Sequence, residues 1–408
     1  MRRTIAVALK GAALAGLTAT LLGGTAIAAP VTVWIMGDSS ANFDQLVAPF
    51  EAESGIDVET VAVPWDAIDQ KLTTSVASGQ GPDIVQIGLS KLRTFADAGA
   101  LLPLDDLLGN YPGLAPENFA DGVAGKATAV AGQIVSVPWI SDTRVLFYRK
   151  DILEGAGIAN PPATWDELRA AAKTLSERGE GQYGYYVPQW DSALPVVMTW
   201  DQGGDIVNAE GNIDFNTPAF AAAVDLYTGL HADGSVPKNG DFDQTQGFIS
   251  GIAPMLVSGP YLAKAIAGAA PELDGKWGIT TLPKAVTGTS LFAGSNLGVW
   301  FNTDQQDESL KLLEFLSKPA TQLEWFKLNG ELPTVKAALT DPALAADPLV
   351  QVYAAQLGDA KVLPMISNWD GGVGSDLLKA LNSIVLAGAD RTQALADLSA
   401  AAEGQTIN

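Results

Sequence analysis

Residues 31–63 decide the fold class, and they read VTVWIMGDSS ANFDQLVAPF EAESGIDVET VAV. The run Val31–Met36 is apolar and rich in β-branched side chains, which is typical of a buried strand. Residues 42–54 carry apolar side chains at helical spacing, and Gly55 follows as a stop signal. Residues 56–63 then alternate between apolar and polar side chains, which predicts a second strand.

The same alternation of elements continues for one more unit. Ile68, Leu72 and Val76 mark a second helix, and the apolar residues 84–87 predict a third strand. Strand, helix, strand, helix, strand is the order found in a parallel sheet that is covered by helices. The sequence therefore predicts an α/β fold.

A second α/β region follows a polar, hinge-like segment at residues 139–144. Thr164 and Glu167 have the spacing of a capping box, and Pro218 marks the first turn of another helix. From Leu310 onward the pattern is mostly helical. No Ser/Gly-rich linker separates the halves, so we expect two domains joined by short, ordered crossings of the chain.

The first 28 residues have the pattern of a secretory signal peptide. Arg2, Arg3 and Lys10 precede an uncharged stretch, and Ala26-Ile27-Ala28 matches the small-x-small cleavage pattern. We expect cleavage after residue 28 and export to the periplasm. The formal net charge of −22 becomes −25 once the three basic residues of the leader are removed, which disfavours nucleic acid as a partner.

Several classes of chemistry are excluded by composition and motifs. The chain has no Cys, so it has no thiolate metal site, no Cys nucleophile and no lipid-modified N-terminal Cys. His231 is its single His, expected near the surface at a helix end, and it makes Ser-His catalysis and His-rich metal sites improbable. P-loop, G-x-S-x-G, H-E-x-x-H and EF-hand patterns are absent. We expect no cofactor, no metal and no enzymatic activity.

Tryptophan next to polar side chains is the positive signal. A pyranose presents an apolar face and a rim of hydroxyls, so an aromatic ring beside a carboxylate or amide suits it. For any single pair, a partly buried Trp beside a turn-forming Asp is an equally good interpretation. Four such pairs in predicted loops favour a carbohydrate site: Trp65-Asp66, Trp139 near Asp142, Trp190-Asp191 and Trp369-Asp370.

Several motifs resemble, in order and spacing, the family-1 extracellular solute-binding proteins of sugar ABC transporters. This family includes maltose-binding protein. The motifs are GQGPDI at 79–84, VPW at 137–139, LFYRKD at 146–151, PATWDEL at 162–168 and Gly259-Pro260. The resemblance extends from about residue 31 to the C-terminus.

This resemblance implies two α/β lobes, each a mainly parallel sheet flanked by helices, with the ligand in the cleft between them. We assign residues 29–140 and about 288–336 to the first lobe. We assign residues 141–287 and about 337–408 to the second. The lobes are expected to close on the ligand by hinge bending and to dock on the permease subunits of the importer, as a monomer.

The resemblance also implies individual ligand contacts. Asp38, Asp142 and Asp191 fall on or near sugar-binding carboxylates, and Tyr261 replaces a stacking Trp. Ser39 and Ser90 replace a Lys and an Asp, which argues against maltose itself. The full set of predicted ligand-binding residues is Asp38, Ser39, Trp65, Ser90, Trp139, Asp142, Trp190, Asp191, Tyr261, Asn296 and Trp369.

Three alternatives stay open. A secreted glycosidase could use two cleft carboxylates. A polyamine binder would also use Trp and Asp, because cations suit aromatic faces. A sugar phosphate or sulfonate would need a basic side chain in the cleft, for which Arg93 and Arg144 are the convenient candidates.

Overall fold

The computed structural model describes residues 29–37, 40–65, 67–120, 128–188, 190–238 and 242–407. The expected signal peptide, Asp38, Ser39 and Asp66 lie outside the described residues. In the described part, the strands are β1 (Val31–Met36), β2 (Val58–Val63), β3 (Ile84–Gly88), β4 (Ala129–Val130), β5 (Gln133–Ile134), β6 (Val137–Thr143), β7 (Val145–Arg149), β8 (Met255–Ser258), β9 (Trp277–Thr280), β10 (Ser290–Val299) and β11 (Ala360–Lys361).

The helices of the described part surround these strands. They are α1 (Ser40–Ser54), α2 (Ile68–Ser78), α3 (Leu89–Asp97), α4 (Lys150–Gly155), α5 (Trp165–Ser176), α6 (Ala193–Asp201), α7 (Pro218–Ala232), α8 (Gln244–Ser250), α9 (Pro260–Ala269), α10 (Gln306–Leu316), α11 (Pro319–Asn329), α12 (Lys336–Leu339), α13 (Pro342–Ala345), α14 (Pro348–Leu357), α15 (Val373–Ala387) and α16 (Arg391–Ala401). Short 3₁₀ turns occupy Leu108–Asn110, Pro112–Leu114, Pro116–Asn118 and Pro271–Leu273.

The first lobe is built on a sheet of order β11-β10-β3-β1-β2, with β6 paired to β10. β1 runs parallel to both β2 and β3, which confirms the predicted arrangement. Val33 and Ile35 pack into one core cluster, whereas Trp34 and Met36 pack into another. Helices thus cover both faces of the sheet, which explains why β1 reads as a continuous apolar run.

The second lobe departs from the expected mainly parallel sheet. Its three-stranded sheet has the order β8-β7-β9, and both pairings are antiparallel. Its large core gathers side chains from Leu146 through Ala402, so the C-terminal helices α15 and α16 pack here. The expectation of a mainly parallel sheet in this lobe was wrong: it came from the resemblance, and apolar periodicity carries no information on strand direction that could have corrected it.

The chain crosses between the lobes at Arg144. This residue separates β6, which pairs with β10 in the first lobe, from β7 in the second. The predicted polar hinge at 139–144 is therefore mostly a buried strand. The exact lobe boundaries stay a prediction.

His231 is buried, whereas the sequence analysis placed it near the surface. It lies within α7 and is 3% exposed, not at the surface. Burial lowers the pKa of this imidazole to about 4, so it is neutral at pH 7.

Among the described helices, none is both long and apolar enough to span a bilayer.

Candidate ligand-binding site

A cavity of about 720 Å³ lies between the two lobes. This volume is within the range of small-molecule sites. Both lobes contribute to its lining, which consists of Met36, Gly37, Trp65, Gly88, Leu89, Ser90, Lys91, Ile140, Asp142, Arg144, Trp190, Asp191, Ser192, Ala193, Tyr261, Leu291, Phe292, Ala293, Gly294, Ser295, Glu331, Val362, Leu363, Asp370 and Leu378. The cavity borders the carboxyl ends of β1 and β3, where α/β proteins commonly bind ligands.

Trp65 forms an exposed aromatic platform on the first lobe. Its side chain is 47% exposed and lies against Gly37 and Gly88. A Cβ atom on Gly88 would come within 3.3 Å of the indole, and one on Gly37 within 3.6 Å. These two glycines thus form a shelf that supports the ring because they lack side chains.

Trp190, Asp191 and Tyr261 contribute the second-lobe wall. The Trp190 side chain is 62% exposed. Oδ1 of Asp191 accepts hydrogen bonds from the backbone N–H of Ala193 at 2.9 Å and of Leu194 at 3.3 Å, which ties it to the start of α6. Burial raises the pKa of Asp191, although Arg144 and these N–H donors oppose that shift.

Asp142 and Arg144 form an ion pair at the lobe crossing, with Nη1 2.6 Å from Oδ2. Burial raises the pKa of Asp142, and the guanidinium partly offsets this effect. The second oxygen, Oδ1, is buried and has no hydrogen-bond partner among the described residues. Gly259 passes directly against the pair, since a Cβ there would lie 2.6 Å from that same Oδ1.

Glu331 is a cavity residue that sequence reasoning missed. Its Oε2 accepts a 2.7 Å hydrogen bond from Trp325 Nε1. Burial raises the pKa of Glu331 to about 7, and the negative charge of Asp142 adds to the shift. Leu332 pairs with Ser141 of β6, which brings the segment beside Asp142. No motif in the sequence pointed to this carboxylate.

Lys91 was also missed, and it links the two lobes at the cavity rim. Its Nζ lies 2.6 Å from Asp69 of α2 and 2.7 Å from Asp370, which precedes α15. Ser90 donates a 3.0 Å hydrogen bond to the same Asp370 oxygen. This bridge joins α3 of the first lobe to a loop of the second.

The structure brings six of the predicted residues together around the cavity. They are Trp65, Ser90, Asp142, Trp190, Asp191 and Tyr261. Their contacts with a ligand stay a prediction. Two further predicted residues, Asp38 and Ser39, fall outside the described residues.

Trp139 was predicted as a ligand contact but lies in the first-lobe core. It is 2% exposed, and its ring centroid is 5.3 Å from that of Trp325. Side chains alternate between the faces of a strand. Since Ile140 and Asp142 of β6 line the cavity, Trp139 points away from it.

Asn296 and Trp369 are likewise buried rather than on the cavity wall. Asn296 Nδ2 donates to Ser136 Oγ at 2.9 Å, beyond a bulge that follows Ser295 of β10. Trp369 is 1% exposed, and its Nε1 donates to Ser192 Oγ at 3.1 Å. Because Ser192 lines the cavity, Trp369 supports the site from behind.

Comparison with known proteins gives consistent results. The sequence profile of bacterial extracellular solute-binding proteins matches residues 36–323. A Brucella abortus protein, provisionally named a binding protein without a stated ligand, is 29% identical over 97% of both chains. The diacetylchitobiose binding protein of Streptomyces coelicolor is 26% identical, over 83% of this chain and 80% of its own.

A solved structure is similar across nearly the whole chain. The sugar-binding protein MalE of Xanthomonas citri superposes with a TM-score of 0.80 at 27% identity. The superposition covers 92% of this chain and 96% of the other. The two-lobed α/β architecture is thus shared.

Proposed function

Because the chain belongs to the bacterial extracellular solute-binding protein family, we propose that it captures a neutral sugar or short oligosaccharide for an ABC importer. Proteins of this family are substrate-binding components of transport systems and act outside the cytoplasm. For this chain we propose cleavage of the leader near Ala28, residence in the periplasm as a monomer, and no catalytic turnover.

One observation carries the proposal: two exposed indoles and a set of carboxylates face the same interlobe cavity. Trp65 and Trp190 offer flat apolar surfaces to the C–H face of a pyranose. Asp142, Asp191 and Glu331 offer acceptors to its hydroxyls. The relatives named for diacetylchitobiose and for sugar binding support the same ligand class.

The charges argue against a sugar phosphate or sulfonate. Within the described lining, the basic side chains are Lys91 and Arg144, and each is already paired with an Asp at 2.7 Å or less. A ligand anion would have to compete for these cations beside several carboxylates, which repel it. Arg93, the other candidate, donates to the carbonyl oxygens of Met365 and Ile407 instead.

A polyamine remains the alternative that the carboxylates allow. It differs from a sugar in one testable respect, because a polyamine is charged and its binding weakens strongly with salt, whereas that of a neutral sugar does not.

The mechanism is hinge closure. Trp65 belongs to the first lobe, while Trp190, Asp191 and Tyr261 belong to the second, so a ligand that touches all four favours the closed form. Asp142 and Arg144 lie at the crossing, where the rotation between lobes is accommodated.

The test is a titration of the mature protein, followed by intrinsic Trp fluorescence. The panel contains mono- and disaccharides, a sugar phosphate, glycerol 3-phosphate and spermidine. We expect a saturable, salt-insensitive response to a neutral sugar that is recovered unchanged. A response restricted to the phosphates or to spermidine contradicts the ligand class, and conversion of the sugar contradicts the binding role.

A further inference from the structure

A second depression adjoins the main cavity on the second lobe. It has a volume of about 330 Å³ and is lined by Tyr186, Trp190, Phe242, Asp243 and Gln244. Trp190 lines both spaces, so they adjoin each other at this side chain. We call the smaller space the outer groove.

The outer groove is attached to the main cavity by a hydrogen bond as well. Gln244 Nε2 donates to the hydroxyl of Tyr261 at 3.2 Å, and Tyr261 lines the main cavity. Tyr261 of the main cavity and Gln244 of the outer groove are therefore in direct contact. A chain-like ligand that leaves the cavity past Trp190 enters this space.

The composition of the outer groove repeats that of the main cavity. Phe242 packs against Tyr186 with ring centroids 5.1 Å apart, which adds an aromatic surface to that of Trp190. Asp243 uses Oδ1 to cap α8 through the N–H of Gln246 at 2.8 Å. Its Oδ2 is not part of that cap, and the residue is exposed, so this oxygen can accept from a ligand hydroxyl.

We infer that the outer groove is a subsite for the distal units of an oligosaccharide whose inner units occupy the main cavity. This inference rests on the proposed function and narrows it, since it makes a ligand longer than one or two units the preferred one. Trp190 exposes 62% of its surface to water, and a pyranose ring stacked on the indole would bury part of this apolar area. Among the described residues, the groove lining carries one carboxylate and no basic side chain, which disfavours an anionic chain.

The experiment measures affinity against chain length by calorimetry on the mature protein. The probes are glucose and linear maltooligosaccharides of two to five units, and N-acetylglucosamine with chitooligosaccharides of the same lengths. For the series that binds, we expect affinity to rise with length until the groove is filled. Trp190→Ala is expected to weaken the longest ligand about tenfold more than the shortest, as for loss of a stacking contact.

Two further variants separate the groove from the cavity. Trp65→Ala removes a second exposed indole, which lines the cavity but not the groove, and it is expected to weaken all lengths by the same factor. Asp243→Asn keeps a residue that caps helices well but removes the charged acceptor, so only long ligands are expected to weaken, by a smaller factor. Circular dichroism checks that each variant is folded.

The possible failures are distinguishable. If wild-type affinity is independent of length, or if Trp190→Ala weakens every length equally, the outer groove is not a subsite, while the proposed function stands. If no sugar of either series and none of the fluorescence panel binds, both the function and the groove assignment fall.

Discussion

The two sides of the cavity are built in opposite physical ways. On one side, Trp65 rests on Gly37 and Gly88 and is largely open to solvent. On the other, Asp142, Arg144 and Glu331 are charged or titratable groups held in a mostly buried setting. We call Trp65 with its two supporting glycines the aromatic shelf, and Asp142, Arg144 and Glu331 the buried charged cluster.

The two sides differ in how they affect the stability of the ligand-free protein. The aromatic shelf needs no buried charge, so the fold is nearly indifferent to its indole. The buried charged cluster holds the carboxyls of Asp142 and Glu331 where burial raises their pKa, so their ionised forms are costly in the empty protein. A hydroxyl donor from a ligand relieves that cost, so occupancy and stability are expected to be coupled here and not at the shelf.

The largest effect is expected from Arg144→Ala, which leaves Asp142 buried without its partner. Breaking one side of a buried ion pair typically costs about 3–5 kcal/mol. Urea unfolding of the whole protein measures this loss. As a control, Asp142→Ala combined with Arg144→Ala is expected to recover part of it, and strictly additive losses would contradict a coupled pair.

The raised pKa of Glu331 is expected to make the stability of the protein depend on pH. Its pKa is raised from 4.5 to about 7 in the folded protein, so between these values the unfolded chain ionises while the folded one keeps its proton. Ionisation then favours the unfolded state, and stability falls as pH rises from about 4.5 to 7, by about 3 kcal/mol.

Glu331→Gln isolates this contribution. The amide oxygen still accepts from Trp325 Nε1, while the titrating proton is gone. The difference in unfolding free energy between variant and wild type is expected to grow in favour of the variant between pH 5 and pH 8. Asp201, whose pKa burial also raises to about 7, contributes the same slope to both proteins and cancels. A constant difference across this range would mean that Glu331 is ionised in the folded state.

Trp65→Ala tests the opposite side. Truncating a stacking ring is expected to weaken sugar binding by about 1–3 kcal/mol. Because the side chain is half-exposed, the free energy of unfolding is expected to change by no more than about 0.5 kcal/mol. If Trp65→Ala lowers the free energy of unfolding as much as it weakens binding, the distinction between the aromatic shelf and the buried charged cluster is wrong.

The sequence predicted the features that depend on local pattern. β1 and the parallel pairing of the first three strands follow from apolar periodicity and from the strand–helix order. The capping box at Thr164 and Glu167 is present as the spacing predicted, with both of its hydrogen bonds. Such signals lie within a few residues of each other, so a single sequence contains them.

The sequence did not predict reliably which way individual side chains face. Trp65 and Trp369 both precede an Asp, yet one is on the cavity wall and the other in the second-lobe core. Trp139 was decidable in principle, since it alternates with Asp142 along one strand, but its segment was interpreted as a hinge. Glu331 reaches the site through the pairing of Leu332 with Ser141, a contact 191 positions apart that no local pattern reveals.

The smallest effect is expected from Gly88→Ala, which probes the aromatic shelf without removing the indole. Gly88 has φ of −64°, so alanine fits its backbone without strain. The added Cβ would lie 3.3 Å from the Trp65 ring, which must move by a few tenths of an ångström. We expect affinity for the sugar to fall by about twofold to fourfold, or about 0.4–0.8 kcal/mol, with stability unchanged. In the Trp65→Ala background the same substitution is expected to have no effect on affinity, because there is no ring left to displace. An equal effect in both backgrounds would show that Gly88 contacts the ligand itself, and the shelf would then be part of the binding surface rather than its support.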